Sequence, residues 1–72
     1  MRRKAPRIGD LVKIRCSLRQ GWLSKRIHPG IVTECVGIHL WVRLFAIPWD
    51  GHSGREYVRR DSVDVIARAD HA

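Results

Sequence analysis

The 72-residue sequence contains no apolar run near 18 residues, so no transmembrane helix is expected. Its basic opening, Met1-Arg2-Arg3-Lys4, continues into Arg7, Asp10, Lys13 and Arg15, where a secretory signal would carry an apolar segment. An intracellular protein without a membrane partner is the expectation. Cysteine is scarce. Pairing the first strand with the second through the loop between them sets Cys35 opposite a residue near position 11, roughly five residues or ~17 Å along the ladder from Cys16. A disulfide needs Cα atoms within about 7 Å, so both cysteines are expected as reduced thiols, buried as small apolar side chains.

Motifs for chemistry are missing as well. The four His and two Cys, at 16, 28, 35, 39, 52 and 71, show no paired short spacing of the zinc kind, and neither a metal nor a cofactor is expected. Gly51 and Gly54 follow no strand-to-helix junction, which argues against a phosphate-binding loop. Asp50, His52 and Ser53 are near-neighbours on one loop and cannot each take the side that a catalytic triad demands, so they read as a turn. A chain this short buries only roughly 60 to 65% of its unfolded surface, leaving a small core and no deep pocket. A non-enzymatic protein is expected.

Acidic residues are nearly absent from one half. Residues 1–29 hold nine Lys or Arg against the single Asp10, a net charge of +8, while residues 30–72 carry −1. The whole excess therefore sits in the N-terminal part, and a localised basic surface seeks a polyanion or an acidic protein face.

What is present is dominated by residues 30–45, which read as a β-hairpin turning at Gly37. After the turn, Ile38, Leu40, Val42 and Leu44 alternate with His39, Trp41, Arg43 and Phe45, the period of a pleated strand. Before it, Ile31, Thr33 and Cys35 share one face and Val32, Glu34 and Val36 the other. Residues 1–7 read as a flexible basic arm, and Ile8-Gly9-Asp10 as a turn into a first strand over 11–16, with Val12, Ile14 and Cys16 inward and Lys13 and Arg15 outward. Residues 17–29 form a long loop whose Leu18, Trp22, Leu23 and Ile27 need cover, so it is expected to fold back across one end of the molecule. A second loop over 46–54 turns at Asp50-Gly51. A fourth strand over 55–58, a single helical or 3₁₀ turn over 59–62 and a fifth strand over 63–66 with Val63 and Val65 inward complete the domain, and residues 67–72 form a frayed tail.

Five short strands of this kind describe a small bent antiparallel barrel, all-β, in which closure removes exposed edges. Gly9-Asp10-Leu11-Val12-Lys13-Ile14, Gly30-Ile31-Val32, Trp41-Val42-Arg43 and Asp61-Ser62-Val63-Asp64-Val65-Ile66 resemble the strand pattern of SH3-like barrels of the Tudor and KOW kind. The short form is similar to small barrel proteins that tailed bacteriophages carry. The resemblance covers residues 8–66 and implies a five-stranded SH3-like antiparallel barrel behind a basic N-terminal arm, with the host-cell cytoplasm or the virion as its location. It also suggests an aromatic cage for methylated Lys or Arg, to which Trp22, Trp41, Trp49 and Tyr57 could contribute rings.

Two functions follow as expectations. The first is a nucleic-acid-binding module for DNA or RNA, with Arg2, Arg3, Lys4 and Arg7 on the arm, Lys13 and Arg15 on the first strand, and Arg19, Lys25 and Arg26 on the loop contacting phosphates. Trp41, Arg43 and Phe45 would stack and anchor. Against this, Trp41 and Phe45 could instead be covered by the 17–29 loop with Trp22 and Leu23. Arg59-Arg60 adds a further basic pair, screened by Glu56, Asp61 and Asp64. The alternative is a phage structural or adaptor protein that binds other protein subunits, or a host protein, through its arm and barrel face.

Overall fold

β-Branched and other apolar residues at alternate positions build the strands, and glycine at the turns joins them. The computed structural model describes residues 5–18 and 22–69. Five strands, β1 (Leu11–Ile14), β2 (His28–Val36), β3 (His39–Leu44), β4 (Arg55–Arg59) and β5 (Asp64–Ala67), form one antiparallel sheet in the order β4-β3-β2-β1-β5. A 3₁₀ turn over Arg60–Ser62 joins β4 to β5. The all-β architecture is as expected. As hydrogen-bonded, the sheet is open, with β4 and β5 as its two edges.

The core is the inner face of the sheet. Val12, Ile14, Cys16, Val32, Leu40, Val42, Leu44 and Val63 are buried together, with Val58 and Val65 packed against them. Gly37 takes φ +57° at the β2–β3 turn, a backbone region that costs glycine nothing. Gly30 serves differently. A Cβ there would lie 2.7 Å from both the Arg43 carbonyl oxygen and Val42 Cγ1, so the close approach of β2 to β3 requires its absence.

Three expectations are corrected. The register of β2 against β3 shifts between Val32 and Glu34, so Thr33 is an extra residue in the ladder. That shift reverses the alternation: Val32 stands opposite Val42, but Cys35, not Val36, stands opposite Leu40. Cys35 nevertheless lies beyond the end of the core and is exposed, and only Cys16 is a buried thiol. The loop after β1 does not fold away its apolar groups, because Leu18, Leu23 and Ile27 stay exposed and Trp22 is 70% exposed. The Leu18 amide donates to the Trp22 carbonyl at 2.6 Å, and a bridge joins Ser17 to Leu23.

The two ends of the domain meet. Asp10 is 2% exposed, and its carboxylate accepts the Arg7 amide at 2.8 Å, the Ala69 amide at 2.9 Å and an Arg68 guanidinium N–H at 2.9 Å. Pro6 is buried and Arg68 also donates to the Ala5 carbonyl. Residues 5–7 of the expected arm and residues 67–69 of the expected tail therefore lie along the fold. Arg2, Arg3, Lys4 and Arg19 lie outside the described residues.

Candidate nucleic-acid interface

The outer face of β3 and β4 collects the planar and cationic side chains. Strand alternation points Leu40 and Val42 inward, which turns His39, Trp41 and Arg43 outward. On β4 the same period turns Arg55, Tyr57 and Arg59 outward while Glu56 and Val58 face the core. The register then sets His39 opposite Arg59, Trp41 opposite Tyr57 and Arg43 opposite Arg55.

These side chains form a continuous column. The His39 and Tyr57 rings stack with centroids 4.7 Å apart and an interplanar angle of 8°. Tyr57 meets Trp41 at 4.9 Å, and the Arg55 guanidinium lies 4.5 Å from the Trp41 ring centroid. Trp41 is half-buried, and what partly covers it is this column. Phe45, just beyond β3, is 62% exposed.

The expected phosphate-contacting groups divide. Lys13, Arg15, Lys25 and Arg26 are exposed, as are Arg7 and Arg43. Among the described residues, Arg15, Lys25, Arg26 and Arg43 make no ion pair, whereas Arg59 is held by Asp61 at 3.2 Å and Lys13 stands opposite Asp64 across β1 and β5. Sequence reasoning left Arg55 out of the site and considered Tyr57 only for a cage. The period of two in Arg55-Glu56-Tyr57-Val58-Arg59 was the signal for both. The four proposed cage rings do not gather: Trp41 contacts Tyr57, but Trp49 packs edge-on against His52 at 4.8 Å and Trp22 projects into solvent.

One inward cluster was invisible to spacing. Cys16, His52 and Glu56, from three separate segments, bring their ligand atoms within 4.8 Å of one another. The hydrogen bonds give this cluster another use. His52 Nδ1 accepts the Gly54 amide at 2.8 Å, which leaves the proton of a neutral ring on Nε2, facing Glu56 Oε2 at 2.5 Å. Glu56 Oε1 accepts the Ser17 amide at 3.1 Å. Both ring nitrogens are thus engaged within the protein. Burial first, and then the charge of Glu56, push the Cys16 thiol up to about 11, so it stays protonated at neutral pH. The cluster is a structural clasp. The geometry gives no triad either, since Ser53 Oγ is occupied with the Arg55 backbone while His52 turns to Glu56.

No protein family, curated protein or solved structure matches the chain. Function has to be read from the fold and from these side chains.

Proposed function

We propose that the protein is a non-enzymatic nucleic-acid-binding module. One observation carries this reading: Arg43 and Arg55 stand directly opposite each other across β3 and β4, both exposed. Like charges at directly opposed positions destabilise a sheet, and an anion between them would remove the penalty. Arg15, Lys25 and Arg26 extend the positive surface, in keeping with a chain of net charge +7. In this reading the sheet is an SH3-like barrel, which the strand order and the 3₁₀ turn before β5 support. It works as such barrels of tailed bacteriophages would, in the host cytoplasm or the virion, on DNA or RNA.

The test is binding of the full chain to labelled single- and double-stranded DNA and RNA across about 50 to 300 mM salt. Affinity is expected to fall log-linearly with salt. Arg43→Gln should weaken binding and shallow the salt slope while leaving the fold as stable or slightly more so. Absence of binding to any of the four at low salt would sink the proposal.

A second reading, a structural or adaptor protein docking on other subunits, draws on Phe45 and Ile47, two apolar side chains exposed close together on the loop after β3. Binding that persists at high salt and is lost in Phe45→Ser would favour it.

A further inference from the structure

Between β4 and the end of β1 the sheet curls without pairing, and a cleft of about 420 Å³ opens there. Ile14 and Val58 form its base, and Leu23 and Ile27, both exposed, form an apolar wall. Lys13, Arg15, Arg59 and Asp64 also line it. Asp64 stands opposite Lys13 in the β1–β5 ladder and Asp61 holds Arg59, so the cation of the cleft open to an anion is Arg15. Tyr57 lines the cleft and is also the middle ring of the column formed with His39 and Trp41.

Such a cleft matches a nucleotide better than it matches a duplex. A base has an apolar planar face for Leu23 and Ile27, and it carries a phosphate that reaches Arg15. In a duplex those faces are covered by neighbouring base pairs, and only the phosphate ribbon is presented. The column adds pre-organisation, because its rings are already held by one another and lose little freedom when a ligand arrives. We propose that the ligand is single-stranded nucleic acid, with one unstacked base seated in this cleft against Leu23 and Ile27 beside Tyr57 and its phosphate on Arg15. The proposal rests on the nucleic-acid reading above and narrows it.

The experiment compares three probes on the full chain at one salt concentration: a labelled oligothymidylate of about 12 nucleotides, a duplex of the same length, and inorganic polyphosphate. Two variants accompany it, Tyr57→Leu, which removes the ring beside the cleft, and Ile27→Trp, which fills the cleft from an exposed position. The single strand is expected to bind about ten-fold tighter than the duplex, and each variant to lose about ten-fold of that affinity, with duplex and polyphosphate binding unchanged in Ile27→Trp. If Tyr57→Leu does not fold, Ile27→Trp decides alone. Equal affinity for single strand and duplex, or a single strand that binds Ile27→Trp as well as the natural chain, overturns this inference and leaves the cationic surface standing. Failure of all three probes to bind at about 50 mM salt overturns both readings.

Discussion

Glu56 and Ser17 are 39 residues apart in the chain, and the Glu56 carboxylate accepts the Ser17 amide proton at 3.1 Å. This bond ties the edge strand β4 to the exit of β1 on the side where the sheet lacks a strand-to-strand ladder. The same carboxylate also holds His52, so one buried side chain joins three segments. Glu56→Ala would leave the part-buried Ser17 amide and the His52 ring N–H without acceptors, at a cost of about 3 kcal/mol. For a domain of this size the thermal midpoint, followed by circular dichroism, should fall by more than about 10 °C. A drop under about 3 °C would show that these bonds do not form in solution.

Zinc added in excess should leave that midpoint unchanged, and so should a chelator. The reason is the Gly54 amide on His52 Nδ1, which directs the ring proton toward Glu56 and leaves no lone pair for an ion. A ligand that binds only the folded chain must raise its stability. A zinc-dependent rise of several degrees, lost in Cys16→Ala, would refute the clasp.

Asp10 makes stability depend on acid. Burial alone would raise its carboxyl, but the amides of Ala69 and Arg7 and the Arg68 guanidinium outweigh it and hold the group below its ordinary value of 3.8. A lowered folded value means stability that is fully present above 3.8 and lost as pH falls through the folded value. Urea unfolding of the natural chain and of Asp10→Asn should therefore differ most near neutral pH, and the gap should shrink as pH falls below 3.8. A constant gap across that range would contradict the assignment.

Gly30 and Gly37 separate two reasons for a glycine. Gly30→Ala forces a methyl to 2.7 Å from a backbone oxygen that cannot swing aside, so β2 and β3 must part, at a cost of about 2 kcal/mol or more. Gly37→Ala meets open space and pays only for its positive φ, about 1 kcal/mol. Chemical denaturation should rank Gly30→Ala as the more damaging. The reverse order would show that β2 and β3 lie farther apart at Gly30.

The strands were legible because burial imposes a period of two, and Val12, Ile14, Leu40, Val42 and Val63 carry it plainly. Arg43 and Phe45 were read from the same period on the opposite face. Thr33 was not legible as a bulge: nothing in Val32-Thr33-Glu34 marks an extra residue, and its position depends on which residue of β3 each side faces. Leu18, Trp22, Leu23 and Ile27 were assigned cover on hydrophobicity alone, yet 72 residues supply too little chain to cover everything apolar. What the loop exposes has become part of the candidate site.

The sequence by itself determined the all-β class, the inward set of apolar residues and the excess of cations, because each depends on local alternation or on simple counts. Only the tertiary structure decided which cations stand unpaired, that Tyr57 joins the His39–Trp41 face, that Cys16, His52 and Glu56 meet, and that a cleft opens between β4 and β1. Those are relations between strands. Register and sheet curvature set them, and both arise from the simultaneous packing of the whole core, not from any one segment of the chain.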